Sequence, residues 1–377
     1  MINTFKELAG TINNSYITKW KEQGRPVMGF PCTYVPEEIF HAAGIMPFRL
    51  RGINVSAVSI GDTYFGPVIC SFPKCVLELA GEGQYKFLDG VIMSNGCDSM
   101  RRLDECWRKA DEDIGGIRPP FFHYFGVPHK VTSYSIKWFI EETQALREAI
   151  EEHFALKITD EALQASIELY NQGRRLLQRL EALRMSSNNP ISGEDALAIM
   201  VASSAMPREE FNTFLSEILT IEEGKPSAGD DTRKRLMLLG SINDDLKFMR
   251  VIEDCGAVIV ADSMCFGSRS YSDLVDEDGD PLEAVAERYL NHAYCPRMFG
   301  YYKERLKSVL DKARQARVDG VILQNIRFCD LHGSENGIFE RDLEAAGIPC
   351  MRMEREYGPL VETGRVRMRI GAFLEKL

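Results

Sequence analysis

Apolar residues follow two different rhythms along this chain. In the first and last thirds, short apolar runs alternate with amphipathic stretches that stop at glycine. "PEEIFHAAG" reads as a helix with Pro36 in its first turn and Gly44 at its end, and "MPFRLRG" as a short strand after it. "SFPKCVLELAGEG" reads as a second helix and "FLDGVIMSN" as a buried strand. The middle differs. From about Ser135 to Ile221 the spacing is helical, with Leu163, Ile167, Tyr170, Leu177 and Leu180 on one stripe. Ser192 with Asp195 resembles a capping box, and Pro207 suits the first turn of the next helix. The polar stretch from Glu222 to Arg235 reads as a linker. Alternation then returns. "LMLLGS" and "AVIVADS" read as strands around the helix "DDLKFMRVIEDCG", and "KSVLDKARQARVDG" leads into the strand "GVILQN".

One phrase is written twice. "DGVIMSNGCD" begins at Asp89 and "DGVILQNIRFCD" at Asp319. Both read as parallel strands with a thiol, Cys97 or Cys329, just beyond the C-terminal end. Open α/β sheets bind ligands in the crevice outside those ends. The echo is compatible with duplicated domains and equally with convergence on a common way to enter a strand. The expected architecture is α/β: two Rossmann-like parallel-sheet domains, over 1–134 and 236–377, with a mainly helical segment and linker over 135–235. Both domains would aim a cysteine at the cleft between them.

Composition narrows the chemistry. The chain has 377 residues, enough for two or three domains, and a formal net charge of −11 that argues against nucleic-acid binding. No apolar run approaches a membrane span and no stretch resembles a signal peptide, so a cytoplasmic location is expected. There, ten cysteines are unexpected as disulfides. Cys255 and Cys350 read as packing residues. Zinc spacing is missing, since no CxxC occurs, and the ferredoxin string is equally absent. A catalytic thiol with a histidine base remains open, as does an iron–sulfur cluster held by thiolates from distant loops. No GxGxxG opens a helix and no phosphate-binding loop with Lys and Ser/Thr is present, so an ATP-driven step would need a partner.

Several segments taken in order resemble the 2-hydroxyacyl-CoA dehydratase and benzoyl-CoA reductase family. They are "PCTYVPEEIFHAAGIMPFRLRG", "YFGPVICSFPKC", "CDSMRRL", "DPLEAVAERYLNHAYCPR", "FCDLH" and "VETGRVRMRIGAFLEKL". The resemblance implies an oxygen-sensitive enzyme component with a 4Fe-4S cluster in the inter-domain cleft. It would be held by Cys70, Cys97 and Cys329, leaving one iron open. It further implies an ATP-hydrolysing iron–sulfur activator protein as electron donor, a homologous second subunit or a homodimer, and a CoA-thioester substrate. In dehydratases the electron makes a ketyl radical so that the 2-hydroxyl leaves; in the reductases it goes to an aromatic ring.

Other residues enter as expectations. Arg101 and Arg102 would counter thiolate charge or meet CoA phosphates, or simply lie on a solvated helix face. Glu37, Glu38 and His41 are the catalytic candidates, although the two carboxylates also suit a helix N-terminus and the histidine a packed position. Asp98 and Asp330 are expected to cap the turns after their cysteines. Cys265 and Cys295 fall where some family members carry cysteine. A related branch, the double-cubane cluster proteins, binds an 8Fe-9S cluster through six cysteines. This chain offers Cys70, Cys97, Cys265, Cys295 and Cys329, with Cys75 or Cys106 standing in for a sixth. The alternatives are thus a double-cubane reductase of small molecules, a non-catalytic electron-relay subunit, and a zinc-stabilised structural protein.

Overall fold

The computed structural model describes residues 1–225, 231–292 and 294–377. The first α/β unit runs α1 (Ile2–Ala9), α2 (Ser15–Glu22), β1 (Val27–Phe30), α3 (Glu37–Ala42), β2 (Met46–Arg49), α4 (Ser59–Tyr64), α5 (Ser71–Gly81), β3 (Gly90–Ser94), α6 (Asp98–Ile114) and β4 (Phe121–Phe125). Four helices follow: α7 (Ser133–Phe154), α8 (Asp160–Met185), α9 (Gly193–Ala202) and α10 (Arg208–Glu223). The second unit runs β5 (Lys234–Gly240), α11 (Leu246–Glu253), β6 (Ala257–Ser263), a short 3-10 turn (Ser268–Ser270), α12 (Pro281–Leu290), α13 (Tyr302–Gln315), β7 (Gly320–Ile326), α14 (Asp330–Ala345), β8 (Cys350–Arg355) and α15 (Thr363–Lys376). Residues 226–230, the centre of the expected linker, lie outside the described residues.

Each unit contains a four-stranded, all-parallel sheet, and the two share one topology. The orders are β2-β1-β3-β4 and β6-β5-β7-β8, so in both the first strand lies between the second and the third. The direction of winding reverses between β1 and β3 and again between β5 and β7. Those are the switch points at which open sheets offer a crevice.

The repeated Asp-Gly has a physical reason. Asp89 Oδ2 accepts the backbone N–H of Val27, at 2.8 Å, where β1 begins, and also holds Lys21. Asp319 Oδ2 accepts the N–H of Arg235, at 2.7 Å, near the start of β5. In each sheet the aspartate before the third strand fixes the entry of the first. The glycine that follows leaves room for a neighbour: a Cβ on Gly90 would stand 2.7 Å from Met28 Sδ, and one on Gly320 2.7 Å from Phe373.

The helical middle ties the two sheets together. Leu163, Ile167, Tyr170, Leu177 and Leu180 of α8 are all buried, as the stripe predicts. α8 packs on α3 of the first unit and on α12 and β6 of the second. α1 crosses over to pack on α9, putting Phe5 and Leu8 in one apolar cluster with Leu236 and Ile259 of the second sheet. The Ser192 hydroxyl accepts the N–H of Asp195 at 3.0 Å, and Pro207 sits one residue ahead of α10 as its N-cap. Among the described residues no helix is long and apolar enough to cross a membrane.

Candidate metal centre

Cys97 follows β3 and is the N-cap of α6; Cys329 follows β7 and is the N-cap of α14. Cys70 is the N-cap of α5. All three therefore stand where unpaired backbone N–H groups and the helix dipole favour a negative sulfur. Asp98 and Asp330 are the first helical residues after these caps, and neither helix has a side-chain cap bond. The expected capping role for the aspartates is thus not seen. Cys32 lies just past β1 and Cys265 just past β6, while Cys295 follows α12.

The electrostatics gather these thiols into one group. Burial pushes the Cys97 thiol well up, and charge at Cys70, Cys329 and Cys32 adds to the shift. Cys329 is pushed up to about 12, first by burial and then by Cys70, with Cys265 and Cys295 contributing. Cys295 rises to about 11 through burial; Arg269 pulls it back, and Cys265 and Cys32 push it up. Cys70 is raised by burial against the opposing Ser99 hydroxyl, 3.7 Å away. These four would keep their protons at neutral pH until a metal displaced them. Among the described residues, no three His, Cys, Asp or Glu side chains converge as ligands of one ion. A polynuclear sulfide core, whose thiolates bind different irons, does not require that convergence.

Arginines supply the opposite charge. Arg269 is 2% exposed, reaches Cys265 Sγ at 3.4 Å and His332 Nε2 at 3.3 Å, and has no carboxylate partner among the described residues. A guanidinium buried in this way is costly unless an anion accompanies it. Thiolates on an iron–sulfur core are such anions, so the six-thiol group fits a cluster of this kind, with Arg269 on the side of Cys265 and Cys295. Arg297, also buried, donates to the carbonyls of Gly96 (2.8 Å), Pro128 (2.7 Å) and Val127 (2.9 Å), and lies 4.8 Å from the Tyr34 ring centre. It ties the loop beyond β3, just ahead of Cys97, to the loop beyond β4. Arg49 donates to the Cys265 carbonyl at 2.8 Å.

The other expected residues have different surroundings. Glu38 is fully buried, ion-paired with Arg174, and accepts the Tyr289 hydroxyl at 2.8 Å. Glu37 pairs with Arg208 at 3.2 Å; burial raises its carboxyl above the usual range, with Arg208 opposing. Both ring nitrogens of His41 are engaged, by Ser166 at 2.8 Å and Glu209 at 3.1 Å. Arg101 and Arg102 are exposed on α6 and pair with Glu105 of the same helix. Of the two substitutes for a sixth cysteine, Cys106 directs its thiol to the Tyr64 carbonyl at 3.4 Å and is perturbed by no other cysteine. Cys75 is buried against Gly52 and pushed up to about 12 by burial and then by Asp244, with Cys70 a smaller contributor.

The residue that sequence reasoning misses is Cys32. Its signal is present: "VMGFPC" is a short apolar strand followed by a cysteine, the arrangement that singles out Cys97 and Cys329. A four-residue strand is too short to announce itself by periodicity. A Cβ on Gly96 would stand 2.6 Å from Cys32 Sγ, so the loop carrying Cys97 and the one carrying Cys32 are in contact.

Residues 32–377 match the family described as 2-hydroxyglutaryl-CoA dehydratase, D-component. The (R)-phenyllactyl-CoA dehydratase beta subunit of Clostridium sporogenes is 29% identical over 100% of this chain and 98% of its own. One of the benzoyl-CoA reductase subunits of Thauera aromatica is 29% identical over 83% of this chain and 81% of its own. The (R)-2-hydroxyglutaryl-CoA dehydratase beta subunit of Acidaminococcus fermentans is 24% identical over 95% of each. The chain belongs to the 2-hydroxyglutaryl-CoA dehydratase D-component family, among the enzyme components of dehydratase and benzoyl-CoA reductase type.

Proposed function

We propose that this chain is an iron–sulfur redox component that receives low-potential electrons from an ATP-hydrolysing activator protein and acts with a second subunit, homologous or identical, on a CoA thioester. The reaction is radical dehydration of a 2-hydroxyacyl group or reduction of an aryl group. Support comes from the thiols at helix N-termini, Cys70 buried and Cys97 and Cys329 partly buried beyond the C-terminal ends of parallel strands, and from relatives named as subunits of such enzymes. Cys70, Cys97 and Cys329 would hold a 4Fe-4S cluster. When bound, such a centre supplies one-electron chemistry and a Lewis-acidic iron. The protein's own part is to shield the sulfurs from water at least in part, hold the Cys97 loop through Arg297, and place the Arg269 charge beside Cys265 and Cys295.

A second reading has a specific observation behind it. Cys32, Cys265 and Cys295, like Cys70, perturb the ionisation of Cys97 or Cys329, and with those two they make six thiols; of these, Cys75 is tied to Cys70 alone. A double-cubane 8Fe-9S cluster uses that number, and a chain carrying it would reduce small molecules as a homodimer. The experiment is anaerobic turnover with an activator and ATP. (R)-2-hydroxyacyl-CoA and benzoyl-CoA thioesters are supplied with and without a second subunit, and the Cys329→Ala chain runs in parallel. ATP-dependent conversion of a thioester, lost in Cys329→Ala, supports the first reading. Electron uptake with no thioester consumed under any pairing supports the second. Neither uptake nor conversion in an iron-loaded chain refutes both.

A further inference from the structure

A cavity of about 30 Å³ lies between α3, α8, α10 and the segment that follows Cys265. Four arginines line it: Arg49, Arg174, Arg208 and Arg288. Arg174 is matched by Glu38 and Arg208 by Glu37. The other two form no ion pair among the described residues, although Arg49 acts on Glu37 and Arg288 on Glu38 at longer range. Arg49, 5% exposed, gives one N–H to the Cys265 carbonyl. Arg288, 7% exposed, gives its N–H groups to the carbonyls of Asp273 (3.1 Å) and Ser270 (2.6 Å). Neither is hydrogen-bonded to a thiol, unlike Arg269. The Nε atoms of Arg49 and Arg208 are buried and without a partner among the described residues. Buried guanidinium charge with unused donors around a cavity is the arrangement that receives an oxyanion.

Size and lining narrow the class. The space corresponds to about two water molecules. Phe30, Leu177 and Met200 form part of its wall, which suits a ligand with one anionic and one small apolar end. Phosphate has no apolar end, and an aromatic acid exceeds the volume. We infer that this cavity is a binding site for the carboxylate group of a one- or two-carbon acid, held between Arg49 and Arg288. The inference does not depend on the cofactor or substrate proposed above.

The test is isothermal titration calorimetry of the anaerobically isolated chain with sodium formate and sodium acetate. Sodium chloride at matched ionic strength is the reference, and iron is measured in the same sample, so a missing cluster and a missing carboxylate site are read separately. Saturable one-to-one binding of formate or acetate is expected, with no saturable binding of benzoate, phosphate or the cation methylammonium. Arg288→Gln and Arg49→Gln should each weaken binding at least tenfold. If a variant fails to fold, the ligand series on the unaltered chain still decides. Carboxylates no better than chloride, phosphate or benzoate preferred, or binding unchanged in both folded variants would each overturn the assignment.

Discussion

Replacing Arg174 by Met would isolate a buried carboxylate at the junction of the three parts of the molecule. Glu38 belongs to α3, Arg174 to α8 and Tyr289 to α12, and all three side chains are buried. The Tyr289 hydroxyl donates to Glu38 at 2.8 Å, and Arg174 also donates to Asn171 Oδ1 at 3.1 Å. Removing one partner of such a pair typically costs about 3–5 kcal/mol, because the remaining charge is left in low dielectric. Glu38→Leu combined with Arg174→Met replaces the pair by apolar groups and should cost far less than the sum of the single changes, a coupling of about 2 kcal/mol or more.

The pH dependence gives an independent sign. Burial raises the Glu38 carboxyl, but Arg174 and then Arg288 outweigh it, leaving it below its ordinary value of 4.5. In the unaltered chain the contribution is therefore present above about 4.5 and is lost as pH falls through the folded value. In Arg174→Met the largest opposing charge is gone and burial raises the carboxyl. The unfolded value cancels between the two chains, so the gap should be widest near neutrality, begin to narrow as pH falls through the variant's raised folded value, and go on narrowing toward 4.5 and below. Urea unfolding followed by far-ultraviolet circular dichroism, from pH 4 to pH 8, measures it. A gap below about 1 kcal/mol, or one that does not change with pH, would refute this reasoning.

Other consequences follow from single contacts. Gly96→Ala would place a Cβ 2.6 Å from Cys32 Sγ, so it should lower the iron retained by the chain while leaving its circular dichroism spectrum unchanged. Gly52→Ala meets the Cβ and backbone carbon of Cys75 at 2.3 and 2.9 Å. It should destabilise by about 1–3 kcal/mol or more in urea, the range for overpacking. Cys106→Ala should leave iron content untouched, since its thiol faces the Tyr64 carbonyl, whereas Cys329→Ala should not. Glu209 is held down to about 2, chiefly by its hydrogen bond to His41. His41→Phe should lower the unfolding midpoint at and above about pH 4.5, and the deficit should shrink as pH falls from 4.5 toward 2, because the unaltered chain loses this contribution there.

Much of this is legible in the sequence, and the failures have physical causes. Strands β3 and β7 are buried along their whole length and open on the apolar runs Val91–Met93 and Val321–Leu323, and the cysteines that follow them stand out. The stripe on α8 identifies a helix with one buried face, but spacing cannot say that it bridges α3 and α12. Asp-Gly-Val-Ile is recognisable as an entry to a strand without its reason. That reason, an aspartate accepting the first strand's N–H, joins residues far apart in sequence. β1 is four residues long, so Cys32 escapes notice while Cys75 and Cys106, beside other motif residues, are favoured. Glu37, Glu38 and His41 are candidates because of their types. Arg174, Arg208 and Glu209, which engage them, lie in the helical middle, where no motif draws attention.

An iron–sulfur centre held by the thiols beyond the strand ends, with Cys70, Cys97 and Cys329 at its heart, is the central claim. The decisive measurement is iron and acid-labile sulfide per polypeptide in the anaerobically purified chain, compared with a Cys32→Ala, Cys265→Ala, Cys295→Ala triple variant and with Cys329→Ala. Iron with matching sulfide, lost in Cys329→Ala, is the predicted result. About four irons kept by the triple variant would assign the centre to Cys70, Cys97 and Cys329 alone, whereas about eight, falling in that variant, would bring all six thiols into a double-cubane cluster. Zinc in place of iron, or no metal after anaerobic reconstitution with iron and sulfide, would contradict the claim.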